Sequence, residues 1–373
     1  MSYTAQNVIK TFMTTLDTTS STGLAALNEA VAACSTFSSA SDWISSFTAA
    51  CQSAISAGET SAEILSSLCG INLTNTDTGA ITGSDAGTST TKTAESIIAE
   101  DGTASSPSGT TSTINSLLVT WPTTSYNNGT LTSTEKYIIA NLNTWWIPES
   151  LSLLTESYGM SFGESGTSVN AINVQFVNEG TSGTLAYTSW YADSSTDKTV
   201  SLTLSINMSY YNNINTSDNN GISSTAPNYY LDRVIAHELT HALMAANLNY
   251  STMSKLPLFI TEGLAELVGG VDDERSSEIS YLISNTSALS SALSLTSSGE
   301  YYSYAAGYMA LRYLAKYASS DTNTTTTTST ASTYYNTGNT ALYVNSGYSG
   351  TIYLGSTDGT TYATSTEDQK GTF

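Results

Sequence analysis

The sequence predicts an α+β fold, on three observations. Apolar residues recur at three- and four-residue spacing through the first seventy positions, three alternating strand-like runs lie between residues 171 and 208, and apolar helical segments follow from 231 to 317. Helices, then strands, then helices along one chain is the order of a segregated α+β architecture, not of repeated βαβ units.

Taken in order, Val8, Phe12 and Leu16, then Leu24, Leu27 and Val31, then Trp43, Phe47 and Ala50, then Ile64, Leu65 and Leu68 mark short amphipathic helices, so residues 1–72 read as a small helical domain. Residues 73–112 are dominated by Thr, Gly, Ser, Asp and Asn, with only Leu73, Ile81, Ile97 and Ile98 as long apolar punctuation, the profile of a polar linker. Residues 113–318 carry every Trp but Trp43 and most of the long apolar segments, and form the principal domain. There Thr132 with Glu135 makes a capping box that opens a helix through Tyr137, Ile138, Leu142 and Trp145. Pro148 suits the first turn of a second helix ending near Tyr158. The strand-like runs 171–178, 184–191 and 199–208 read as a meander, a polar loop spans 212–227, and the remaining helices follow. Residues 319–373 form a Thr/Gly/Tyr-rich tail whose Gly and Asn turns predict short β strands.

Composition narrows the function classes. Charged residues are 11% of the chain against a usual ~25%. Ser and Thr together make up about one-third, so the surface is hydroxylated more than charged. Ten Lys and Arg against 31 Asp and Glu give a net charge of −21, which repels phosphate backbones and anionic lipid. The basic residues are scattered, so nucleic-acid binding is excluded. No apolar run approaches the ~18–20 residues of a membrane span. The three Cys, at 34, 51 and 69, lack metal-ligand spacing and read as small buried residues on helix faces. The first residues lack the charged head, apolar run and cleavage site of a signal peptide, while the acidic, hydroxyl-rich, Lys-poor composition suits a secreted or surface-displayed protein without a cleaved leader.

Residues 231–273 carry the chemistry. The chain's only two histidines, His237 and His241, are four apart, which on a helix puts both imidazoles on one face within reach of a single ion. Glu238 beside the first completes H-E-x-x-H, in which the imidazoles ligate zinc and the Glu acts as general base on the water that the metal activates. Val234, Ile235, Leu239, Ala242, Leu243 and Ala245 make the helix apolar enough to sit inside a core. Glu262 lies 21 residues after His241, in a helix that Pro257 can begin, and is the third ligand that a catalytic zinc needs. Glu266, one turn further on, is placed to accept a hydrogen bond from the outer nitrogen of a liganding His. The opposite assignment, Glu266 as ligand and Glu262 as its support, shares the same helix face. Gly263 between them fits close approach of another helix.

HELTHA followed by TEGLAE resembles the gluzincins, zinc peptidases whose third ligand is a glutamate. The resemblance implies a zincin-like catalytic domain of small mixed sheet and metal-binding helices, covers roughly residues 170–318 and is specific at the two motifs. It supports Glu262 as ligand and Glu266 as the acidic residue that supports a zinc His. The metzincin alternative fails, because Met244 and Asn247 stand where that motif requires Gly and a third His. Tyr304, in a Y-x-x-G arrangement with Gly307, is similar to the tyrosine that donates to the oxyanion in membrane-aminopeptidase-like enzymes, with Tyr301 and Tyr308 as alternatives. In such peptidases an edge strand pairs with extended substrate, a role that falls here to the strand at 199–208. No Gly-x-Met-Glu-Asn motif is present to hold a free amine, so an endopeptidase is expected in preference to an aminopeptidase.

The expected activity is therefore zinc-dependent hydrolysis of a protein or peptide substrate, with one catalytic Zn2+. Structural Ca2+ is a further candidate at 218–221 or at Asp272 and Asp273, where solvated turns are the competing reading. The alternative from another class is a surface adhesion or assembly protein that keeps a zincin-like scaffold without catalysis. The flanking regions would attach the chain to a larger surface assembly, or hold a precursor silent through residues 1–112.

Overall fold

In the computed structural model the described residues are 5–71, 104–163, 168–181, 183–216, 221–227, 229–269, 275–296, 301–321, 341–345 and 351–355. The chain is a mixed α/β protein built on a five-stranded mixed sheet, as the α+β expectation required. The candidate Ca2+ positions Asp218, Asp272 and Asp273 lie outside the described residues. No helix among the described residues is long and apolar enough to cross a membrane.

Helices α1 (Ala5–Thr18), α2 (Leu24–Cys34), α3 (Ala40–Ser56) and α4 (Ser61–Ile64) occupy the N-terminal segment. Ser39 caps α3 and the Thr60–Glu63 capping box opens α4. A π-helical turn, Leu65–Cys69, extends α4 and stops at Gly70, whose φ of 65° is the left-handed cap that glycine adopts without penalty. The apolar faces predicted from spacing are buried, Val8, Phe12, Leu27, Val31, Trp43 and Phe47 all at 0% exposure. All three cysteines are free and buried. Burial pushes the Cys34 and Cys51 thiols up to about 12, and Cys69 further still.

Strands β1 (Thr111–Ile114) and β2 (Leu117–Thr120) form a hairpin whose two turn residues, Asn115 and Ser116, both have positive φ, the mark of the tight turn that matches strand twist. β1 begins inside the segment read as linker. Helices α5 (Ser133–Asn141) and α6 (Ile147–Tyr158) follow. The Thr132–Glu135 capping box and the proline in the first turn of α6 stand where the sequence placed them.

The three strands after α6 are β3 (Ala171–Val177), β4 (Ala186–Asp193) and β5 (Lys198–Asn207), and they are not a meander. The sheet order is β1-β2-β3-β5-β4, with β2 and β5 parallel to β3 and β4 antiparallel to β5. Burial explains the correction. On β5 Leu202, Leu204, Ser205 and Ile206 are all buried, so both faces are covered and the strand belongs in the interior. β4 is mostly half-exposed, with Tyr191 71% exposed, and takes the edge. The free edge expected at residues 199–208 is therefore β4.

Helix α7 (Met208–Tyr211) leads by a loop to α8 (Leu231–Asn247), which packs against β4 and β5. Then come α9 (Tyr250–Met253), α10 (Leu258–Gly269), α11 (Ser276–Ser284), α12 (Thr286–Ala292) and α13 (Ser303–Asp321). Strands β6 (Ala341–Asn345) and β7 (Thr351–Gly355) pair antiparallel in the tail.

Helix α13 joins the N-terminal helices to the helices around the histidines. Its Arg312 donates from Nε to the Cys69 carbonyl at 2.8 Å and from a terminal nitrogen to the Gly70 carbonyl, and Lys316 reaches the Ser66 carbonyl at 2.9 Å. Two cations thus meet the negative, carbonyl-rich end of the α4 extension. Trp43 donates to the Ala310 carbonyl at 3.2 Å, and Phe47 packs on Tyr313 with ring centres 4.9 Å apart. The N-terminal helices and the helices around the histidines share one apolar core.

Candidate metal centre

Helix α8 carries His237, Glu238 and His241 and is buried along nearly its whole length. Ile235, Leu239 and Ala242 are at 0% exposure, so the helix is fixed by packing and its histidines point from a rigid support. Pro257 precedes α10, as expected from its sequence position. Arg233, near the start of α8, donates to the carbonyl of Gly269 at the end of α10 at 2.8 Å, so the two helices run antiparallel.

That return brings three ligand atoms together. His237 Nε2 and His241 Nε2 are 3.2 Å apart, and Glu262 Oε2 lies 3.2 Å from each. Ligands at ~2.0–2.1 Å from a tetrahedral ion are separated by roughly 3.3 Å, so this triangle has the size that one such ion spans. His237, His241 and Glu262 form, among the described residues, the one His/Cys/Asp/Glu cluster able to hold a metal ion.

The electrostatics agree. Burial by itself would lower the His237 pKa, but the hydrogen bond to Glu262 and the carboxylates of Glu266 and Glu238 outweigh it and raise it to about 9. Burial would raise the Glu262 carboxyl, yet His241 and His237 hold it far below the usual carboxylate range. Negative charge around two imidazoles attracts a proton here, and it attracts a metal cation for the same reason.

Glu266 Oε1 faces His237 Nδ1 at 4.0 Å, too long for a hydrogen bond, and is engaged instead by Arg275, whose Nε and a terminal nitrogen both reach it at 2.7 Å. Glu262 is thus the carboxylate that meets both imidazoles, and Glu266 stands behind His237. Tyr304 stacks near His237, ring centres 6.2 Å apart and 12° from parallel, with the Arg275 guanidinium 4.7 Å over its ring. Burial, then Glu262 and Glu266, push the Tyr304 phenol up, so it remains an O–H donor at neutral pH. Of the alternatives, Tyr301 is 68% exposed and donates to Glu278, while Tyr308 is buried and accepts from Arg312.

Gly263 of α10 and Gly307 of α13 lie against each other. A Cβ at Gly307 would collide with the Phe259 carbonyl oxygen, so the absence of a side chain sets how near Tyr304, one turn away, comes to Glu262.

Glu238 is 7% exposed. Its Oε2 accepts the main-chain N–H of Thr188 at 2.7 Å, and its own carbonyl accepts the Thr188 hydroxyl at 2.9 Å. The site opens into a cleft of about 1260 Å³ bordered by Ala186, Thr188 and Trp190 of the edge strand and by Tyr229, Tyr301 and Tyr304. Thr188 and Arg275 are the site residues that sequence reasoning passed over. Thr188 acts through a main-chain atom that leaves no trace in residue type, and Arg275 is one cation beside an acidic run, with nothing in its spacing to tie it to Glu266. No family model, curated protein or solved structure matches this chain.

Proposed function

We propose that this chain is a zinc-dependent endopeptidase of gluzincin type, with a zincin-like catalytic domain and protein or peptide substrates. The observation that carries the proposal is the convergence of His237, His241 and Glu262 at 3.2 Å separations beside Glu238 in an open cleft. Two imidazole nitrogens and a carboxylate are the donor set of a catalytic zinc site that keeps one position open. Bound there, zinc supplies Lewis-acid polarisation of a carbonyl and acidification of water.

The chain's own residues do the rest. Glu238 takes the proton of the attacking water and passes it to the departing amine, a relay that needs an ionised carboxylate held in one orientation. Tyr304, kept protonated by its surroundings, donates to the carbonyl oxygen as negative charge develops. Glu266, anchored by Arg275, sets the electrostatic background of His237. The β4 edge offers unpaired main-chain groups to an extended polypeptide, and Ala186, Thr188 and Trp190 of that edge border the cleft. The acidic, hydroxyl-rich composition fits a secreted or surface setting.

Incubating the purified chain with casein, with and without chelator, tests the reading. The expected result is cleavage abolished by chelation and restored by zinc; chelator-insensitive cleavage, or none after zinc reconstitution, speaks against it.

A further inference from the structure

The phase of the β4–β5 ladder decides which main-chain groups of the edge strand are free. Asn207 N–H donates to the Leu185 carbonyl at 3.0 Å, and the register pairs Ala186 with Ile206 and Thr188 with Leu204. Odd-numbered residues of this stretch therefore bond inward to β5, and Ala186, Thr188 and Trp190 turn their N–H and C=O groups to the free edge. At Thr188 that outward N–H meets Glu238 Oε2 at 2.7 Å, a short charge-assisted bond, and the Thr188 hydroxyl adds a second tie to the Glu238 carbonyl at 2.9 Å.

We propose that Thr188 is a positioning residue for Glu238, its edge-strand amide fixing one carboxylate oxygen so that the base keeps a single orientation toward the cleft. The proposal rests on the peptidase reading for its consequence in rate, while the bond itself is independent of that reading. It also divides the labour of the edge. Because the Thr188 donor is taken by Glu238, an extended substrate docking on β4 draws its main-chain bonds from Ala186, from Trp190 and from the Thr188 carbonyl.

An ordinary side-chain change cannot remove an amide, but proline can. Since the Thr188 N–H makes no bond within the sheet and β4 is an edge, Thr188→Pro deletes the donor without deleting a ladder bond. With the zinc-loaded chain and a casein-derived fluorogenic peptide, Thr188→Pro is expected to lower kcat about tenfold to a hundredfold with KM and zinc content nearly unchanged. Thr188→Ser, which keeps both the amide and a hydroxyl, recovers most of the rate, and Thr188→Val, which keeps the amide alone, falls less than about threefold.

A second measurement needs no activity. Amide hydrogen exchange at Thr188 should quicken at least about tenfold in Glu238→Ala while Ala186 and Trp190 are unmoved. Unchanged exchange overturns the proposal. Faster exchange with a wild-type kcat in Thr188→Pro overturns the positioning role and leaves a structural clasp. A wild-type chain that cleaves no peptide yet shows the Glu238-dependent exchange sinks the peptidase reading, and the positioning role in catalysis with it, while the bond stands.

Discussion

Arg275 clasps Glu266 through two nitrogens, each 2.7 Å from the same carboxylate oxygen, directly behind His237. Glu266 is almost wholly buried, so its charge needs this partner, and the same guanidinium covers the Tyr304 ring. One cation therefore ties the end of α10 and the start of α11 to α13.

Removing it should be felt twice. Arg275→Ala is expected to cost about 3 kcal/mol in urea unfolding, because a buried carboxylate loses its partner. Peptide cleavage should fall as Tyr304 loses the group that holds its ring. Arg275→Lys should restore little, since an ammonium cannot reproduce the forked contact. Wild-type stability in Arg275→Ala would show that Glu266 is held by other means.

The ligand assignment can be read from metal content alone. His237→Ala, His241→Ala and Glu262→Ala should each abolish stoichiometric zinc binding in equilibrium dialysis. Glu266→Gln should bind zinc with affinity lowered about 10- to 100-fold, as for a residue that acts through a ligand. Loss of zinc in Glu266→Gln with retention in Glu262→Gln would reverse the two roles.

The close passage of α10 and α13 is equally exposed to test. Gly307→Ala has no room against the Phe259 carbonyl and Gly263, so the helices must separate. An overpacking cost of about 1–3 kcal/mol is expected, with peptide cleavage reduced because Tyr304 moves with its helix. A variant as stable and as active as the parent would mean that the helix spacing does not matter to the site.

The buried thiols make a pH-dependent prediction. Burial raises the Cys34 and Cys51 thiols to about 12 and Cys69 beyond, so at pH 8 the native chain holds almost no thiolate. A chromogenic disulfide reagent should find no reactive thiol in the native protein and three in guanidinium. Rapid labelling of any one at pH 8 would place that cysteine in a mobile or exposed position.

The local part of this architecture was legible from residue order. The cap at Thr132, the first-turn Pro148, the apolar helix faces and the pairing of His237 with His241 each depend on spacing within a helix, and spacing is what a sequence displays; Glu262 was reached across the connection to α10 through its own short motif. Relations set by tertiary pairing were not. That β5 enters the sheet between β3 and β4 follows from which strand is buried on both sides, and alternating residues in three successive strands look like a meander until burial is known. The Asn115–Ser116 turn carries no glycine to announce it, so the β1–β2 hairpin went unread. Thr188 and Arg275 belong to the same class, since one acts through its backbone and the other across nine residues of chain.

On the function proposed, Glu238 is a catalytic base beside a metal it does not bind. Zinc stoichiometry and casein cleavage measured together on Glu238→Ala and the parent chain address it directly. One zinc in both and chelator-sensitive cleavage in the parent alone are the expected results. Equal cleavage by the two, or no zinc in the parent after reconstitution, would contradict it and favour an adhesion or assembly role for a zincin-like scaffold.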